Sequence, residues 1–138
     1  MSTPAVGDAL PPLERTITLP DMIAYAGSTW DWHKLHYDAE YLAAKRVPAP
    51  VVDGQVFGAL LAEQVQDWAG PDASLATLHF RFKNLVFAGE TVRCSATVTE
   101  VAETSDGTLV TVEATVDVVG DKARPAVTPA GAPVRFRA

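Results

Sequence analysis

The sequence predicts an α+β fold in which one long helix packs against one antiparallel sheet. Three observations predict it. Residues 54–69 place Val56, Phe57, Leu60, Leu61, Val65 and Trp68 at helical spacing, interrupted only by Gln64. Beyond residue 74 the period changes to two, and long stretches alternate apolar with polar side chains. No internal repeat or compositional break divides the 138 residues, so one domain over 1–138 is expected, with about five strands around the helix.

The elements follow in order. Residues 1–12, rich in Pro, Gly and Ala, form an irregular arm. Leu13, Ile17 and Leu19 mark a first short strand. Thr18, Pro20 and Asp21 then start a helix as a hydroxyl cap, an early proline and a first-turn carboxylate, and the helix fails near Gly27. Residues 41–45 make a short helix, broken by Pro48 and Pro50. Asp53 is a good N-cap for the long helix, and Gly70 with Pro71 stops it. Gly58, Ala59 and Ala62 keep it slim enough for a curved sheet to grip.

The sheet residues alternate cleanly. Leu78, Phe80 and Phe82 oppose His79, Arg81 and Lys83, and Val92, Cys94, Ala96 and Val98 oppose Thr91, Arg93, Ser95 and Thr97. Val110, Val112, Ala114, Val116 and Val118 oppose Thr111, Glu113, Thr115 and Asp117. Asp106-Gly107 joins the last two of these strands as a hairpin turn. Residues 120–133, rich in Pro and Gly, are expected as a loop, followed by a last strand at 133–138. The long third and fourth strands carry no proline, so neither sheet edge is obviously blunted and a partner is expected to cover them.

Composition excludes several classes. A net charge of −6, a pI near 4.9 and the lack of a basic stripe give nucleic-acid binding little support. No apolar run approaches the ~18 residues of a membrane span, and the first residues lack the pattern of a secretory signal, so a cytoplasmic setting is the default expectation. Cys94 is the only cysteine, so there is no internal disulfide and no cysteine-based zinc site. Its place in an alternating strand makes it a buried structural thiol.

The chemistry concentrates in residues 30–38, which hold Asp31, His33, His36 and Asp38. A carboxylate and an imidazole are the usual pair for moving protons near neutral pH. On a regular helix the five-residue step from Asp31 to His36 turns about 500°, leaving the side chains about 140° out of line. They converge only across a break or tight turn. The bland alternative is a turn-capping Asp31 and a satisfied, half-buried His36. No fourth metal ligand accompanies His33, His36 and Asp38, so no metal is expected. Gly54, at the start of the long helix, either makes a tight turn or lets a carbonyl oxygen approach free backbone N–H groups.

These residues carry a resemblance. Asp31-Trp-His-Lys-Leu-His36-Tyr-Asp38 resembles the Asp-x-Asn-Pro-apolar-His-x-Asp motif of the MaoC-like family, the (R)-specific enoyl-CoA hydratases and dehydratases of the hotdog fold. The stretch leading in (residues 18–29), the entry to the long helix (residues 50–63) and the strand-turn-strand of residues 80–101 are similar to that family as well. His33 replaces the usual Asn, Lys34 the usual Pro, and Asp53 the usual His before the glycine.

The resemblance implies an antiparallel sheet around a central helix and reversible hydration of a trans-2-enoyl thioester. Asp31 and His36 would hold the water, and the Gly54 N–H would stabilise the enolate oxygen. It implies no metal or redox cofactor, an acyl-CoA substrate, and a homodimer or a heteromer with a second hotdog chain. His33, Arg81 and Lys83 are candidate substrate-binding residues, with Lys45, Arg46 and Arg93 as further cations for coenzyme A phosphates. The rival readings are an accessory subunit of a heteromeric hydratase and an acyl-CoA thioesterase.

Overall fold

Alternating valines and alanines in the second half of the chain build one sheet around one helix. The computed structural model describes residues 4–137. Its strands are β1 (Leu13–Thr16), β2 (Ala73–Leu75), β3 (His79–Phe82), β4 (Thr91–Thr104), β5 (Gly107–Val119) and β6 (Arg124–Arg137). Its helices are α1 (Leu19–Thr29), α2 (Ala39–Ala44) and α3 (Gln55–Ala69), with a 3₁₀ turn at Lys34–His36. The antiparallel sheet runs β1-β4-β5-β6-β2, and β3 pairs with β6 beside β2.

Every inward residue expected on β4 and β5 is buried, from Val92 to Val98 and from Val110 to Val118. They pack with Phe57, Leu61 and Val65 of α3 in one core. Gln64, the polar interruption in the helical pattern, is buried too. Its Nε2 donates to the carbonyls of Pro11 and Cys94, so it ties the N-terminal arm and β4 to the helix. Cys94 is fully buried, and desolvation pushes its thiol up to about 12. The glycines of α3 have a direct steric reason. A Cβ on Gly58 would lie 2.8 Å from the Phe80 ring, and one on Gly54 would lie 2.4 Å from the Phe82 ring. Two rings two residues apart on β3 thus rest on two glycines four residues apart, one capping α3 and one in its first turn.

Several expectations are corrected. The stretch 120–133 is not a loop throughout: the last strand, expected from 133, begins at Arg124 and pairs with β5 along its length, and the unexpected β2 raises the count from five strands to six. Pro125, Pro129 and Pro133 lack N–H donors and hide the alternation, while the inward Ala126, Val127, Ala130 and Ala132 are fully buried. The three-residue β2 was not anticipated. Helix α1 runs past Gly27 to Thr29. The arm is not irregular throughout, because Gly7 and Leu10 donate to Val98 and Ala96 of β4. Residues 1–3 and 138 lie outside the described residues. The long strands are interior to the sheet, and its edges are the short β1 on one side and β2 and β3 on the other. Short edges are themselves protective, which moves the case for a partner onto exposed side chains.

Arg124 at the start of β6 locks the loop before β4. It donates to both Glu90 carboxylate oxygens, at 3.0 and 2.5 Å, and to the Leu85 carbonyl. The Arg124 hydrogen bonds hold the Glu90 carboxyl below its ordinary value of 4.5. A carboxyl lowered in the folded state adds stability above its unfolded pKa and loses it as pH falls through the folded value. Glu90→Gln is therefore expected to be less stable than the parent at pH 7 by about 1–2 kcal/mol. The gap should close as pH drops below 4.5. Thermal melts at pH 7 and pH 3 check this, and a gap of equal size at both values would refute the ion-pair account.

Candidate active site

The break that Asp31 and His36 require is present. At the end of α1, Trp30 takes a left-handed φ of 59°, an unusual conformation for a bulky side chain. The N–H groups of both Trp30 and Asp31 reach back to the Ala26 carbonyl, and Asp31 leaves the helix. Asp31 Oδ1 accepts the His33 N–H at 3.2 Å. His33 Nδ1 in turn accepts the Leu35 N–H at 3.1 Å, capping the 3₁₀ turn. The imidazole thereby supplies the short-range acceptor that an asparagine would offer at this position. Asp38 accepts the Tyr41 N–H at 2.9 Å and caps α2.

The turn is then stitched to the segment that enters α3. Val51 N–H donates to the Leu35 carbonyl at 3.1 Å, and His36 Nδ1 lies 2.7 Å from the Val51 carbonyl. A carbonyl only accepts, so Nδ1 carries the proton and Nε2 is the nitrogen left for chemistry. The entering segment is held from its other side: Val52 N–H bonds the Val86 carbonyl and Ala88 N–H bonds the Pro50 carbonyl. The same loop is the one Arg124 and Glu90 lock.

Two segments far apart in sequence now meet. One ligand-capable atom each from Asp31, His36 and Asp53 lies within 4.8 Å of the others. Asp31 is exposed, and His36 and Asp53 are half-buried. Among the described residues these groups, rather than His33, His36 and Asp38, are the ones of metal-ligating type that cluster. They line a small cavity with Met22, Tyr25, Ala26 and Val56, which leaves about 10 Å³ for the centre of a water-sized sphere. That is on the order of one water. The Tyr25 phenol is pushed up by burial first and by the Asp53 charge second, so it stays a hydrogen-bond donor on the cavity wall.

Beside the cavity a groove of about 370 Å³ shares Met22, Tyr25 and Val56 and continues along Ile17 and Leu60. A larger groove, about 690 Å³, lies elsewhere, between Arg93, Thr97, Glu113 and Pro129, and no histidine lines it.

Gly54 is the N-cap of α3 in place of the expected Asp53, and it sits beside the cluster. Asp53 Oδ1 still accepts a first-turn N–H, that of Gln55, at 2.9 Å. Arg81 on β3 and Lys83 just after it are exposed and do not line the cavity, and His33 is engaged in the turn. Arg93 is paired with Glu14. Asp53 and Tyr25 are the members that sequence reasoning missed. Asp53 was legible only as a helix cap, and Tyr25 carried no signal beyond an apolar helix.

A family model described as a MaoC like domain matches residues 3–121. No curated protein matches the sequence significantly. Among solved structures, the ChsH1-ChsH2 complex from Mycobacterium tuberculosis contains a chain 27% identical, with a TM-score of 0.82 over 99% of this chain and 100% of that one. The (R)-hydratase from A. caviae involved in PHA biosynthesis is 22% identical, with a TM-score of 0.86 over 99% of each chain. A chain of the C-terminally truncated HadBC (3R-hydroxyacyl-ACP dehydratase) complex from Mycobacterium tuberculosis is 15% identical, with a TM-score of 0.77 over 97% of this chain and 98% of that one. The curled antiparallel sheet around α3 is the hotdog fold.

The role of His33 in the turn is testable. Leu35 amide exchange should be unchanged in His33→Asn, which keeps an acceptor, and about fivefold faster in His33→Ala, the loss of one hydrogen bond of about 1 kcal/mol. Equal exchange in all three proteins would show that the imidazole does not hold the turn.

Proposed function

The chain belongs to the MaoC-like dehydratase family, and on that premise we propose that it is an acyl-thioester hydro-lyase. In this reading it adds water reversibly to a trans-2-enoyl-CoA, giving the (R)-3-hydroxyacyl-CoA. The observation that carries the reading is the convergence of Asp31 and His36 across the 3₁₀ turn beside the N-terminus of α3.

The chemistry divides among three places. Asp31 and His36 hold one water in the small cavity. One group takes a proton as the oxygen attacks C3, and a proton is delivered to C2. Charge builds on the thioester oxygen, where the Gly54 N–H stabilises it. Among the described residues that N–H is paired with no acceptor, and it stands at the positive end of a helix of fifteen residues. The groove along Ile17 and Leu60 offers apolar walls to an acyl chain. The reaction as proposed needs no metal or redox cofactor and takes place in the cytoplasm, with coenzyme A as the substrate's handle.

We also propose that the chain works paired with a second hotdog chain, identical or different. Trp30, Phe82 and Leu85 are 81%, 56% and 54% exposed, with Phe82 at the end of β3 and Leu85 three residues beyond it. Two of the similar structures are of two-chain complexes by name, which favours a heteromer as a second reading. The rival to a catalytic role within such a heteromer is an accessory subunit, for which activity returns only with a partner carrying its own dyad.

With an enoyl-CoA panel, Asp31→Asn and His36→Ala should each lower turnover ~10²-fold or more, with far from additive effects because both act on one water. Near-normal turnover in either folded variant sinks the assignment. Gly54→Val should lose activity while α3 persists. Because its side chain also collides with Phe82, the same change is made with Phe82→Ala. Activity restored in the double variant would mean that ring displacement, not a blocked N–H, caused the loss. Sedimentation tests the pairing: a monodisperse 14.7 kDa species with full activity refutes it.

A further inference from the structure

We propose that Asp53 is a third catalytic group, a second carboxylate on the reacting water that leaves His36 to act as the acid. The proposal rests on the hydro-lyase reading and deepens it.

The geometry comes first. Three atoms no more than 4.8 Å apart always have a point within about 2.8 Å of all three. A single water at that point is within hydrogen-bonding reach of all three. The cavity beside these atoms has room for about one water. Asp53 is held there by the backbone, since one of its oxygens accepts the Gln55 N–H at the start of α3. The positive helix end favours a carboxylate at that place. Asp53 is half-buried and lines the cavity together with Tyr25.

Counting hydrogens gives the roles. A water has two hydrogens to donate, and two carboxylates plus an unprotonated Nε2 would be three acceptors. All three groups bind one water only if one of them brings a hydrogen. His36 is suited to that part, because Nδ1 already donates to Val51 and Nε2 faces the cluster. Asp31 and Asp53 then accept the two water hydrogens. One carboxylate takes a proton as the water oxygen bonds C3, and the C2–C3 electron pair moves onto the thioester as an enolate. His36 Nε2–H delivers its proton to C2, and the carboxylic acid returns a proton to Nε2 within the cluster. One O–H bond breaks, one C–O and one C–H bond form, and the three groups end as they began.

Asp53→Asn and Asp53→Ser test this, since both keep an oxygen for the α3 cap. Each should lower kcat about tenfold or more, with KM within threefold and an unchanged melting temperature. Asp53→His, which installs the residue usual in the resembled motif, should not restore turnover. An active parent and an impaired Asp31→Asn alongside Asp53 variants of parental or higher kcat overturn the role of Asp53 and leave the hydro-lyase reading standing. A higher kcat is the result expected if the Asp53 charge only opposes the enolate beside Gly54. A parent that hydrates no enoyl thioester, alone or with its partner chain, overturns both.

Discussion

The hydrogen bond from His36 Nδ1 to the Val51 carbonyl, 2.7 Å long, is the contact on which the site depends. It joins the 3₁₀ turn after α1 to the segment that enters α3, fifteen residues later. It also decides which ring nitrogen faces Asp31 and Asp53. The return bond from Val51 N–H to the Leu35 carbonyl makes the join two-ended and keeps the Val51 carbonyl beside the ring. The support extends outward through Val52 and Val86 to the loop that Arg124 and Glu90 fasten to β6. A site made of irregular backbone is in this way held by the sheet, which agrees with the general need for positioned groups to rest on rigid elements.

Much of the fold was legible because its signals are local. The alternation of β4 and β5 and the helical spacing of α3 read directly as buried faces. Of β6 only the end, from Pro133 on, was legible as a strand. Residues 124–132, with two prolines and small inward side chains, look like a loop, and only their pairing with β5, a non-local fact, makes them strand. The site divides in the same way. Asp31 and His36 stand out by residue type, and the need for a turn between them follows from helix geometry. Their convergence with Asp53 depends on the loop crossing from residue 36 to residue 51. In sequence, Asp53 had a sufficient local explanation as a cap, and the cap bond to Gln55 is indeed made.

The departures from the resembled motif have different weights. His33 supplies a turn acceptor through Nδ1, so the loss of the usual asparagine is compensated by geometry. Lys34 opens the 3₁₀ turn where proline is usual and lies 3.8 Å from Asp38 across four residues, a contact of small energy on an exposed surface. Asp53 changes the charge of the site itself. A second carboxylate adjacent in sequence to Gly54 sits close to where an enolate would form. One of its carboxylate oxygens lies within 4.8 Å of both Asp31 and His36.

The central claim is that His36 meets the reacting groups through Nε2, with Nδ1 permanently committed to Val51. Nitrogen-15 NMR of the His36 ring across a pH titration tests it most directly. The account predicts that Nδ1 keeps its proton throughout and that Nε2 is the nitrogen that gains and loses one. A neutral ring carrying its proton on Nε2, or one exchanging freely between the two forms, would contradict it.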